Sequence, residues 1–182
     1  MMGLFDKFRK LAAARGELAA LGIDPFGVEI ERIISPTEGV IHGRRTILAG
    51  TNNYLGLTFH PACIAAAHRA LDAEGTGTTG SRMANGSYSG HRRLEEELAA
   101  FYGVRDAIVF STGYQANLGT LAGLTGAGDV VLLDADCHAS IYDGCKLSGA
   151  EVIRFRHNKA ADLDRRLARL GERAQNALVI VE

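Results

Sequence analysis

Residues 107–117 read AIVFSTGYQAN: a short apolar run, a break at Ser111-Thr112-Gly113, then a helix start. Strand, glycine turn and helix, in that order, aim several backbone N–H groups and the positive end of a helix at one spot, where a phosphate can sit. The next run, DVVLLDADCHAS at 129–140, delivers His138 just beyond the carboxyl end of a second strand. That edge of a parallel sheet is where ligands bind. A phosphate cradle and an imidazole are therefore expected to share one crevice.

From Ala107 onward the pattern alternates: AIVFS, helix, VVLLDAD, helix, EVIRFRH, helix, ALVIVE. Four apolar, β-branched runs separated by helical stretches predict an α/β fold, with βα units in a parallel sheet buried on both faces. Upstream, Leu4, Phe5, Phe8, Leu11, Ala12, Leu18 and Ala19 recur at helical spacing opposite Asp6, Lys10 and Glu17, with Arg15 interrupting the stripe. This predicts an amphipathic N-terminal helical arm. After Asp24-Pro25, VEIERIISP and GVIHGRRTILAG read as short extended segments around a turn at His42-Gly43-Arg44. A helix follows Pro61 and leaves at Gly75, and a second spans His91 to Tyr102 with Leu94 and Leu98 at i,i+4. The expected division is 1–50, arm and small extended segments, and 51–182, the first part of a larger domain. The last apolar run stops at Glu182, where a βα loop should carry it on, so a longer protein is expected.

A net charge of -1 and a pI near 6.6 across 182 residues set up no long-range field, which disfavours nucleic acid and anionic membrane as partners. Cys63, Cys137 and Cys145 are odd in number and lack CxxC spacing, arguing against a disulfide framework or a zinc site and for a reducing compartment. No apolar run approaches the roughly 18 residues of a membrane span, and the charged N-terminus is not a signal peptide. A cytoplasmic location is expected. Asp134-x-Asp136 is too little for a metal centre, so no metal is assigned and solvation at the strand end accounts for it.

Gly75-Thr-Gly-Thr-Thr-Gly80 fits the GxGxxG dinucleotide pattern, but it follows a helix rather than a strand and lacks the GK[ST] ending of a P-loop. It is either a flexible surface loop or a loop whose backbone approaches a ligand. Ser81-Arg82 directly after it favours the second, because arginine pairs bidentately with carboxylate or phosphate. Gly113-Tyr114 is a plain strand-to-helix turn or a phosphate grip whose tyrosine ring covers or underlies a flat cofactor. His138 is an idle helix-start residue, or else stacks on a planar ring or assists proton transfer. Asn53 and Tyr54, in Asn52-Asn53-Tyr54-Leu55-Gly56, form a turn or hydrogen-bond a substrate. His42, His60, His68, His91 and His157 show no ligand spacing and are assigned surface or capping roles.

Taken together, TNNYLGL, GTGTTGSRMANG, LEEELAAFYG, FSTGYQAN, DADCHASIYDG and RFRHN resemble, in order and across nearly the whole chain, the α-oxoamine synthase family of pyridoxal 5'-phosphate enzymes. Within it, LFDKF, DPFGV, SPTE and GTTGSRM look most like the bacterial serine palmitoyltransferase branch. Sister activities are glycine C-acetyltransferase, 8-amino-7-oxononanoate synthase and 5-aminolevulinate synthase. The resemblance implies a fold-type I PLP-transferase-like homodimer, with a parallel sheet flanked by helices in an incomplete large domain behind the N-terminal helical arm. It implies that Gly113 and Tyr114 hold the cofactor phosphate, and that His138 stacks on the cofactor ring and positions the amino-acid carboxylate as the catalytic residue. It places Asn53, Tyr54, Ser81 and Arg82 on the substrate side, with Ser81 reaching across the dimer. The implied partners are an amino acid, L-serine favoured, and an acyl-CoA, joined by decarboxylating condensation to 3-oxosphinganine for sphingolipid biosynthesis. Lys146 and Lys159 do not sit in the family's Schiff-base motif, so the chain alone is expected to be inactive. Two other readings stay open: a non-catalytic partner of a complete homologue, and a small nucleotide-binding protein.

Overall fold

The structure is a computed structural model that describes residues 3, 5–22 and 27–182. Leu4 of the expected arm and the Asp24-Pro25-Phe26 part of DPFGV lie outside the described residues. The chain divides into two compact units, the first ending at Gly77 and the second spanning Thr78–Glu182.

In the first unit a 3₁₀ turn, Asp6–Phe8, leads into α1, Arg9–Ala20. The Asp6 carboxylate accepts the Gly3 N–H at 2.6 Å and pairs with Arg9 at 2.6 Å, tying down the helix start. The helix forms as expected, but none of its residues is buried. Strands β1 (Arg32–Ser35), β2 (Glu38–Ile41) and β3 (Arg44–Ile47) form an antiparallel sheet in the order β1-β2-β3. Between β2 and β3 stand His42 and Gly43, with φ of 50° and 70°. Two left-handed residues in a row make the two-residue turn whose twist suits a hairpin. The Glu31 carboxylate fixes it by accepting the Gly43 N–H at 3.0 Å. Helix α2, Pro61–Glu74, begins where Pro61 has no N–H to lose, and His60 Nδ1 accepts the Ala62 N–H at 3.3 Å.

The second unit opens with α3, Ser89–Tyr102, which ends at a left-handed Gly103. Then follow α4 (Gly113–Leu124), β4 (Val130–Asp134), α5 (Ala139–Ser148), β5 (Glu151–Phe155), α6 (Ala160–Leu170), a 3₁₀ segment at Gly171–Asn176 and β6 (Ala177–Ile180). The three strands are parallel in the order β5-β4-β6, with Leu132 of β4 opposite Ile153 on one side and Val179 on the other. The whole of β4 is buried, which explains its uninterrupted VVLL. Val131 and Leu133 join Leu121, Cys137, Ile141 and Cys145 in the core beneath α4 and α5. Cys137 and Cys145 are buried and Cys63 is exposed; desolvation pushes both buried thiols up from their ordinary range.

The run 107–110 does not join this sheet. Of the four expected strands, three pair. Val109 instead donates its N–H to Glu95 Oε1 at 3.0 Å and accepts from Arg82 Nη1 at 3.2 Å through its carbonyl. Side chains thus satisfy the N–H and C=O of Val109, which a ladder would otherwise take, and Ile108 is left 70% exposed.

Candidate functional site

The start of α4 presents open backbone N–H groups. Thr112 is extended (φ −144°, ψ 155°) and caps the helix: its Oγ1 accepts the Gln115 N–H at 3.1 Å and its carbonyl accepts the Ala116 N–H at 3.0 Å. The two preceding amides, Gly113 and Tyr114, find no protein acceptor among the described residues. An ideal Cβ built on Gly113 meets nothing within 4 Å, so the approach to these amides is open. Free N–H groups at the positive end of a twelve-residue helix suit an oxyanion.

His138 sits at the start of the next helix. It caps α5, its Nδ1 accepting the Ser140 N–H at 3.1 Å and lying 2.7 Å from Ser140 Oγ. Its own N–H donates to the Glu182 carboxylate. The Ser140 hydroxyl, wholly buried, also accepts from Asn117 Nδ2 of α4 at 2.9 Å. A second link joins the helices where the Tyr114 hydroxyl donates to the Asp143 carboxylate. That hydrogen bond, with burial and the carboxylate charge, raises the phenol above its ordinary pKa. The two links hold the first turns of α4 and α5 side by side, so Gly113, Tyr114 and His138 lie on one rim at the carboxyl end of β4. Gly144 permits the approach: a Cβ there would stand 2.8 Å from Leu121 Cδ1 and 3.2 Å from Asn117 O.

The other expected residues divide between the two units. In the second unit, Ser81 closes a tight loop, its carbonyl accepting the N–H groups of Ala84 at 3.0 Å and Gly86 at 2.8 Å. A Cβ on Gly86 would lie 1.7 Å from Gly80 O, so this loop is a folded turn that needs glycine. Arg82 spends its guanidinium inside the unit, on Glu95 at 2.8 Å, Val109 O at 3.2 Å and Ser87 Oγ at 3.0 Å. In the first unit, Asn53 bonds Pro36 O through Nδ2 and Thr58 N through Oδ1, each at 3.5 Å, while Tyr54 is 85% exposed. These two line an open hollow with Asn52, Leu55, Leu57 and Thr58.

Asp134 corrects one expectation: it is not a solvated strand end. Only 2% exposed, it accepts the Asp136 N–H at 3.0 Å and meets His157 Nδ1 at 3.0 Å. The Asp136 amide, ahead of the His157 contact, holds its carboxyl below the usual range. His157, its side chain 38% exposed, keeps its place at the surface and there partners the buried carboxylate. Asn117, Ser140 and Asp143 are the rim residues that sequence reasoning passed over. The first two stand inside FSTGYQAN and DADCHAS, but nothing in their spacing says that they meet. No cluster of three or more metal-ligating side chains occurs among the described residues.

Open amides beside a held imidazole fit a phosphorylated, flat ligand. The profile of the family "Aminotransferase class I and II" matches residues 45–182. A serine palmitoyltransferase of Caulobacter vibrioides is 58% identical over 181 residues, covering 100% of this chain and 45% of the relative. A Sphingomonas wittichii serine palmitoyltransferase structure superposes with a TM-score of 0.93 at 55% identity, over 98% of this chain and 45% of that one. The S. paucimobilis enzyme, solved with bound PLP and myriocin, gives a TM-score of 0.90 at 54% identity, over 93% and 43%. The chain thus spans about 45% of the length of the first relatives it matches. These likenesses carry the fold-type I architecture, a parallel sheet flanked by helices in a partial domain.

Proposed function

We propose, because this chain belongs to the aminotransferase class I and II family, that it forms the phosphate-gripping and ring-stacking part of a PLP-dependent decarboxylating C-acyltransferase. The favoured reaction joins L-serine to palmitoyl-CoA, giving 3-oxosphinganine with release of CoA and carbon dioxide. The observation that carries the reading is the shared rim: two open helix-start amides and one helix-capping imidazole, bound together by Asn117–Ser140 and Tyr114–Asp143.

When bound, PLP supplies a conjugated electron sink for charge developing at the amino-acid Cα. The residues of this chain bind and orient. Gly113 and Tyr114 donate backbone N–H groups to the phosphate. His138 would lie against the ring and turn its outer nitrogen to the substrate carboxylate, orienting the amino acid for reaction. Asn53, Tyr54, Ser81 and Arg82 border the substrate, Ser81 from the second subunit of a homodimer. Arg82 does so while braced by Glu95. Neither Lys146, in the last turn of α5, nor Lys159, before α6, stands in the family's lysine motif. The lysine that carries the cofactor is therefore proposed to lie outside these residues, leaving the chain alone inactive. No described helix is long and apolar enough to cross a membrane, and we place the reaction in the cytoplasm.

The test continues this chain with the remaining part of the Caulobacter relative and assays CoA release. Release that needs both PLP and L-serine is expected, together with a fall of roughly 100-fold in the His138→Ala variant, the scale of a misoriented substrate. Release with glycine or alanine but not serine would move the reading to a sister activity. A well-folded protein that gains no PLP absorbance would overturn it.

A further inference from the structure

Ser140 and Asn117 form a chain of hydrogen bonds whose direction is fixed from end to end. A backbone N–H can only donate, and that of Ser140 reaches His138 Nδ1 at 3.1 Å, so Nδ1 offers a lone pair. The Ser140 hydroxyl stands 2.7 Å from the same nitrogen and must donate to it as well. Its oxygen in turn accepts the Asn117 amide hydrogen at 2.9 Å. Amide feeds hydroxyl, and hydroxyl feeds imidazole. A hydrogen on Nδ1 would face two donors, which leaves the ring hydrogen on Nε2, a nitrogen with no hydrogen-bond partner among the described residues. Ser140 is 0% exposed, so the relay is shielded from competing water. Capping of α5 alone would need only the Ser140 N–H, and neither the hydroxyl nor Asn117.

We infer that Asn117 and Ser140 are positioning residues that hold His138 as its Nε2–H tautomer, presenting an N–H donor to an anionic group of the substrate, the α-carboxylate of an amino acid. The choice of ligand rests on the function proposed above; the tautomer does not. Imidazole ¹⁵N resonances of His138, measured on this chain without cofactor and assigned by their loss in His138→Gln, read the tautomer directly. A lone-pair signature at Nδ1 and a protonated one at Nε2 are expected. Asn117→Asp keeps the shape but turns the first donor into an acceptor. The Ser140 hydroxyl then points back to residue 117, and the Nδ1 resonance should shift toward the protonated position. Ser140→Ala, with its amide spectrum as the check on folding, should give a smaller shift the same way. A hydrogen on Nδ1 in the unsubstituted chain would overturn the inference, whatever the variants do. So would two folded variants with unmoved His138 resonances.

In the complete enzyme, Asn117→Asp should raise KM for L-serine about tenfold, the scale of a lost hydrogen bond to a charged group, with a smaller change in kcat. A shifted tautomer with an unchanged KM would remove the carboxylate role. Failure to bind PLP with the Nε2–H tautomer intact would sink the proposed function and leave the relay standing.

Discussion

Gly144 and Gly123 belong to neighbouring helices of one unit and answer to opposite physics. A methyl at 144 would press into Leu121 and the Asn117 carbonyl, the junction that brings the rim together, whereas one at 123 meets nothing within 4 Å. Gly144→Ala should therefore destabilise by about 1–3 kcal/mol through overpacking. Gly123→Ala should stabilise by roughly 0.5–1 kcal/mol by removing backbone freedom from the unfolded chain. Urea midpoints compare the two, and equal shifts would contradict this packing. At this scale the sequence was half legible. His138 could be placed because a strand with a clear apolar run must release the next polar residues at its end. The Asn117–Ser140 bond could not, since its partners are 23 residues apart and meet only when two helices pack.

The segment 107–110 shows what an apolar run specifies and what it leaves open. Consecutive apolar and β-branched residues favour extended backbone, but they do not name the partner that takes its hydrogen bonds. Here Arg82 and Glu95 take those of Val109 from a loop and from α3. Glu95 is held ionised by the Val109 amide first and Arg82 second, which sets its carboxyl below the usual range. Glu95→Ala should make amide exchange at Val109 faster and lower the urea midpoint. Arg82→Lys should do the same more weakly, since a single ammonium cannot span the three acceptors that the guanidinium reaches. Unaltered exchange at Val109 in both variants would show that the clamp holds nothing. The helices and the hairpin turn were easier to read, because Pro61, Gly75, Gly103 and His42-Gly43 act locally and need no distant partner.

Across the second unit, two buried carboxylates link stability to pH. Asp134 is held down by the Asp136 amide and then by His157; Asp162 by the Arg156 amide and then by Arg166, Arg165 and Arg156. In each case the folded state releases its proton more readily than the unfolded chain, whose aspartates titrate near about pH 4. Around and below that pH the unfolded state binds more protons, so stability is present above it and is lost as the pH falls further. Urea midpoints should drop steeply on acidification through that window, and Asp162→Asn should flatten the slope. A profile unchanged by the substitution would free Asp162 from this role.

The unequal burial of the three thiols has a practical side. A maleimide added to the native protein should attach once, at Cys63 on α2, because Cys137 and Cys145 are shut in the core and reluctant to ionise. Full denaturation should open all three to alkylation. One fluorophore can thus be placed on the first unit without touching the second, and the later entry of reagent at the other two positions would time the opening of the β4 core.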